Sequence, residues 1–525
     1  MFDHTWRRPS TRRAVVLLTV GFLALGASLT ACNGTGPDDE APIEGGTLRV
    51  ATVGPIEVDP ALAVDQSRAA IADLLYDPLV NLDLASLAPT PELAEWEASE
   101  RQRRFTFTLD DHARFGDGSR VTSADVVASW THVVDPETAS PLAELFAPIA
   151  GYEEARAGDG VLAGVSTQDD RTIVVELSAP LADFPTYLAH PGLGIVRAGS
   201  LDDPDGPVGS GPFRLASHDE SAARLVPTED HDVVLDALEL IVVTDAQAAA
   251  DAVEDGSADL AVLLGETAPP DGATVSSAAY LAVSYYGLNM AHPALADERF
   301  RAAIVLAIDA SKVVDAGYGD AADPAVSVAP EPLPGVGPGT CDDRCGPDRG
   351  RATDLLDQVF GDATPSAITI DFDETEVQHA VAAEIERQLE DIGIPVELRP
   401  LPADDYDAFL VDGDPMLFRF GWVGDVASAR AFLAPAFLPD APENLVRLDA
   451  PDVAAALDEA ARTGDDAARA DRYHDAQEAI LDAYAVVPIA QFLTRYAAAP
   501  FVRDLEITAF GSFSGEEIWR DDGDE

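Results

Sequence analysis

Twice along this chain an apolar run, an amphipathic stretch and a second apolar run follow one another, and that pattern constrains the fold more than any other feature. Residues 238–243 (LELIVV) read as a strand, Asp245 caps a helix over 246–254, Gly256 ends it, and 258–263 return as a strand. The second unit starts at 367–370. Val377, Val381, Ile385 and Leu389 then mark one helix face at four-residue steps, Gly393 stops the helix, and 394–398 return. Units of this kind build parallel sheets with helices packed on them. They lie more than 100 residues apart, which predicts an α/β fold with two separate bodies.

The region between residues 100 and 180 has a different character. Residues 104–109 (RFTFTL) alternate like a half-buried strand, 114–119 form a turn with Asp-Gly chemistry, and Thr122-Ser-Ala-Asp125 is a capping box ahead of a helix over 126–133. Another strand is predicted at 173–177.

The first 31 residues read as an address. Arg7, Arg8, Arg12 and Arg13 precede an uncharged apolar run from Ala14 to Leu29. That run is shorter than the about 20 residues of a membrane span and fits the core of a signal peptide. It ends in Leu29-Thr30-Ala31-Cys32, which resembles the lipobox of bacterial lipoproteins, so Cys32 is the expected lipid anchor. Residues 32–44 are polar, glycine-containing and aperiodic, the composition of a flexible tether.

Charge and residue chemistry exclude several functions. With 94 Asp plus Glu against 33 Lys plus Arg, the net charge is −61, and phosphate backbones would be repelled, so no nucleic-acid partner is expected. No His-Glu-x-x-His pattern and no phosphate-cradling glycine loop ending in Lys-Ser/Thr occurs, and 208–212 (VGSGP) lacks the spacing of a nucleophile elbow. No catalytic residue and no cofactor is expected. Cys341 and Cys345 are candidates for a disulfide closing a small loop in an oxidising compartment. Two sulfurs without a nearby histidine pair do not complete a metal shell, so no metal site is expected there.

The order of segments resembles the family 5 extracellular solute-binding proteins, the dipeptide- and oligopeptide-binding group of ABC importers. The similarity runs through 45–50 (GGTLRV), 74–80 (LLYDPLV), 91–100 (PELAEWEASE), 105–109 (FTFTL), 115–118 (FGDG), 122–127 (TSADVV), 207–213 (PVGSGPF), 286–289 (YGLN) and 299–309 (RFRAAIVLAID). The resemblance implies a two-lobed periplasmic-binding-protein type II fold with an extra domain on the first lobe. Lobe I would comprise 45–77, 205–285 and 498–525, the extra domain 78–204, and lobe II 286–497. The crossing segments would lie near 285–289 and 497–500.

The same resemblance implies a site. In 418–425 (FRFGWVGD) the match to the peptide-binding members places Asp425 against a ligand α-amino group, with Gly424 beside it. Trp422 either lines the pocket or fills core. Tyr285 and Tyr286 alternate along a strand, so at most one faces the cleft, and Asn289 closes that motif. Beyond Asp425 the chain departs from the family pattern: Arg430 stands where an acid is usual, and either contacts a ligand anion or pairs with a neighbouring acid. The expectation is a monomeric lipoprotein on the outer face of the cell membrane, with no enzymatic activity, that passes a small solute, foremost a short peptide, to ABC permease subunits. The alternatives are a nickel chelate or another small solute in the same fold, or an extracytoplasmic hydrolase.

Overall fold

Strand β1 (Thr47–Val53) is the first described strand and lies where the pattern at 45–50 predicts it. The computed structural model describes residues 42–521 except 159, 202, 204, 205, 338 and 339. The expected signal segment, Cys32 and nearly all of the tether lie outside the described residues. After β1, helix α1 (Gln66–Leu75) is capped by Asp65, whose side chain accepts from the Arg68 amide at 2.9 Å.

The extra domain follows. Strands β2 (Ala94–Ala98) and β3 (Arg104–Leu109), helix α2 (Ser123–Val134), and strands β4 (Val165–Thr167) and β5 (Thr172–Glu176) make an antiparallel sheet in the order β2-β3-β5-β4 with α2 against it. The alternation of β3 buries Phe105, Phe107 and Leu109 beside Trp130, Phe146 and Phe184. At the start of α2, Asp125 accepts from the Thr122 amide at 2.9 Å and from its hydroxyl at 2.5 Å.

The hairpin β6 (Phe213–His218) and β7 (Ala222–Pro227) leads into the first predicted unit: β8 (Ala237–Val243), α3 (Ala246–Glu254) and β9 (Leu260–Val262). Strands β8 and β9 are not neighbours, because β1 lies between them and pairs in parallel with both. The buried Asp259, next to β9, ties this layer down by pairing with Arg49 on β1 at 2.5 Å. An apolar core of Leu48, Val50, Leu74, Tyr76, Phe213, Leu238 and Leu260 lies beneath α1.

The long strand β10 (Thr274–Leu288) then leaves this body. Beyond β11 (Ala322–Pro324) comes the second predicted unit: β12 (Ile368–Asp373), α4 (Glu376–Glu390) and β13 (Val396–Leu401). The sheet is completed by β14 (Leu417–Val423). Helices α5 (Ala429–Phe437), α6 (Pro451–Arg462) and α7 (Asp466–Asp482) follow, and β15 (Val486–Ala498) returns to the first body. Eleven of the described strands form one sheet in the order β13-β12-β14-β10-β15-β9-β1-β8-β7-β6, with β11 beside β15. The two bodies therefore share a continuous sheet, and β10 and β15 are its common middle. This is the expected pair of lobes joined by two crossing strands, and length makes it possible: at 15 and 13 residues, these strands reach through both halves.

The partner change marks the boundary between halves. β15 pairs with β9 through Tyr496–Ala498, while β10 pairs with β14 through Ala282–Leu288. Between them the register of β10 on β15 jumps, Ala279 facing Leu493 and Val283 facing Gln491, so residues 280–282 form a bulge.

Candidate functional site

The carboxyl ends of the parallel strands in both halves point at that bulge, the position where open α/β sheets bind ligands. On the lobe II side, β14 ends at Val423. The Gly424 amide then donates to the Leu281 carbonyl at 2.7 Å, which pins the loop carrying Asp425 against the bulge. Gly424 has to be glycine: a Cβ there would come within 2.5 Å of the ring of Phe432, which is itself fully buried.

Asp425 is open to solvent, yet enough protein surrounds it to raise its carboxyl above the ordinary carboxylate range by burial. Among the described residues no hydrogen-bond donor or cation partners it. Trp422 is half-buried and packs on the core of lobe II, facing Val283 across the strands. Val423 beside it is 60% exposed.

Residues that sequence reasoning did not single out lie close to Asp425. Tyr280 sits in the bulge, its phenol raised by burial and by the nearby carboxylates of Asp425 and Asp65. Asp65 arrives from the lobe I side at the head of α1, where Gln66 Nε2 donates to Thr494 Oγ1 of β15 at 3.0 Å. Val64 next to it is 47% exposed. The one local signal was the cap pattern Asp65-Gln66-Ser67, which states where a helix starts and not what it faces. Asp425 and Asp65 thus act on one phenol beside the exposed Val423 and Val64; Asp65 is paired with Arg68 Nε at 3.4 Å, which leaves Asp425 as the carboxylate suited to a cationic group.

The remaining expected residues are placed differently. Tyr285 is fully buried against Phe420 and Phe437, with ring centroids at 5.1 Å and 6.0 Å, and Tyr286 is fully buried on the opposite face among Leu288, Phe300 and Ile370. Both rings are covered, because helices pack on both faces of the sheet at this point. Asn289 is a corner residue: its Nδ2 donates to the Pro415 carbonyl at 3.0 Å and its Oδ1 accepts from the Ala291 amide at 3.1 Å. Arg430 does not pair with an acid among the described residues; its Nη1 donates to the Leu457 carbonyl at 3.0 Å. The sulfurs of Cys341 and Cys345 are bonded, and Arg344 between them pairs with Asp482 and Glu478 at 2.5 Å and 2.8 Å. Among the described residues no group of three His, Cys, Asp or Glu is placed to hold a metal, and no helix is long and apolar enough to cross a membrane.

A mixed sheet bridged by two crossing strands, with an unpartnered carboxylate at the joint, defines a two-lobed binding protein of the periplasmic type. The chain belongs to the bacterial extracellular solute-binding proteins, family 5, whose middle-region model matches residues 88–444. It is 24% identical to the periplasmic murein peptide-binding protein MppA of Escherichia coli (strain K12), over 86% of this chain and 89% of the relative. It is 26% identical to the probable deoxycholate-binding periplasmic protein YgiS of the same organism, over 83% and 86%. The solved unliganded open form of the MppA murein tripeptide-binding protein shares the fold, with a TM-score of 0.82 and 22% identity over 91% of this chain and 98% of that one.

Proposed function

We propose that this protein is the lipid-anchored, extracytoplasmic capture subunit of an ABC importer. It takes a short peptide between its lobes, receives the peptide's α-amino group on Asp425, and breaks no bond in it. The observation that carries this reading is the unpartnered carboxylate of Asp425 at the joint between the two halves of the sheet. A carboxylate held in a protein-lined recess without a counter-ion is destabilised there, and a bound ammonium supplies the missing partner.

The recess supports this choice of ligand over an anionic solute. Asp65 and Asp425 both lie close enough to Tyr280 to act on its phenol; Asp65 is already paired with Arg68 Nε at 3.4 Å, so Asp425 is the carboxylate left to repel a ligand whose only charge is negative. Val64 and Val423 offer apolar contact for side chains. Closure would swing lobe II (286–497) toward lobe I about β10 and β15. The ligand favours the closed form because it touches both lobes only there. The protein acts as a monomer held at the membrane through Cys32, and hands the peptide to permease subunits.

Mass spectrometry of what co-purifies after mild denaturation tests the reading, followed by calorimetry with tri- to pentapeptides and their N-acetylated forms. Free peptides are expected to bind and acetylated ones to bind poorly. Equal affinity for both removes Asp425 from amine recognition, and absence of binding across the panel ends the peptide reading.

A further inference from the structure

The loop that presents Asp425 is held at its far end by a different domain. Ser428, three residues on, caps α5 and accepts from the Arg430 amide at 3.2 Å. Its hydroxyl donates to Oδ2 of Asp183, which lies in the extra domain ahead of the short helix Phe184–Tyr187. The same Oδ2 accepts from the Tyr473 hydroxyl on α7 at 2.7 Å. All three side chains are buried, Asp183 and Ser428 being 3% exposed and Tyr473 2%. Around them Val426 inserts into the core of the extra domain, and the Ala182 amide donates to the Ala461 carbonyl at 2.9 Å.

We propose that Asp183 is a positioning residue for ligand binding: from the extra domain it fixes the loop 424–428, so that domain sets where the ligand amine is received. The inference rests on the assignment of Asp425 above. Two anchors define the loop. The Gly424 amide is tied to Leu281 on the crossing strand, and Ser428 is tied to Asp183. Between them Asp425 has no partner of its own, so its direction is inherited from those two ends. A carboxylate taking two hydroxyl donors in a dry setting is a strong acceptor, and here its donors come from two separate elements of lobe II. Asp183 therefore locks α7 and the start of α5 to one point of the extra domain.

The test uses Asp183→Asn, which keeps shape but removes charge and one acceptor, and Tyr473→Phe, which keeps volume and removes one donor. Amide exchange over 424–430 is measured without ligand, and trialanine affinity is measured in both the wild-type and Asp425→Asn backgrounds. Asp183→Asn should speed exchange in that segment by about tenfold and weaken trialanine by about tenfold. The affinity loss should shrink toward nothing when Asp425 is already Asn. Tyr473→Phe should shift both readouts the same way by less, and it decides the matter if Asp183→Asn does not fold. Unchanged exchange over 424–430 in a variant that melts cooperatively overturns the proposal. So does an equal affinity loss in both backgrounds, which would make Asp183 a general stability residue. Wild-type protein that binds no peptide at all would sink the functional reading alone, and the exchange measurement would still decide on Asp183.

Discussion

Gly424 and Leu281 are joined by a 2.7 Å hydrogen bond from the amide of one to the carbonyl of the other. That bond attaches the end of β14 to the bulge in β10, and so places Asp425 at the point where the two halves of the sheet meet. Replacing Gly424 by Ala would push a methyl group to 2.5 Å from the Phe432 ring. The ring is buried on all sides, so the loop must shift instead. We expect Gly424→Ala to cost about 1–3 kcal/mol of stability and to weaken peptide binding, as seen by calorimetry. Unaltered affinity would mean that the loop tolerates displacement.

Asp425→Asn should weaken peptides with a free amine by about 1.5–3 kcal/mol, the range of a charge-assisted hydrogen bond. The same change should stabilise the empty protein at neutral pH. Burial raises this carboxyl, so the folded state holds its proton more tightly than the unfolded state does. Stability is then lost as pH rises from the ordinary carboxylate range through the raised value. Peptide affinity runs the other way and falls as pH drops through that value. Melting curves and calorimetry on both proteins across this range check the two opposite slopes.

His231 holds the C-terminal segment to lobe I. Its Nδ1 lies 2.7 Å from Glu516 and its Nε2 3.5 Å from Asp77. Burial opposes the charge, but the hydrogen bonds to Asp77 and Glu516 outweigh it and push the imidazole up to about 10. A raised histidine contributes stability that is fully present below its unfolded value near 6.5 and is lost as pH climbs through about 10. His231→Gln should cost about 3 kcal/mol or more at neutral pH, as for a broken buried ion pair. The gap in melting temperature between variant and wild type should close on approaching pH 10. A gap independent of pH would assign the loss to packing.

Cys32→Ser should move the protein from the membrane fraction to the soluble extracytoplasmic fraction and abolish labelling by a fatty-acid probe. Continued labelling would place the anchor at another residue.

How much of this was legible depends on how far each feature reaches along the chain. The helix face of Val377, Val381, Ile385 and Leu389 became α4, and the alternation at 104–109 became β3, because both are periodicities within a single element. Asp425 stood in a recognisable segment. Tyr285 was also conspicuous, yet a strand pattern does not say whether one or both of its faces will be covered by helices. Tyr280 and Asp183 carried no local mark and Asp65 carried only that of a helix cap, since each acquires its role from a segment far away in sequence.

The residue pattern by itself determined two α/β units, an alternating strand and helix in the inserted region, and a strong excess of acidic charge. Those follow from side-chain period and charge, which need no partner. Only the tertiary structure decided that one sheet runs through both halves and that the bulge at 280–282 brings Tyr280 near Asp65 and Asp425. The same is true of the bond from Ser428 to Asp183, which are 245 residues apart. Strand pairing and buried hydrogen bonds are chosen by the collapse of the whole chain, and no window of neighbouring residues contains them.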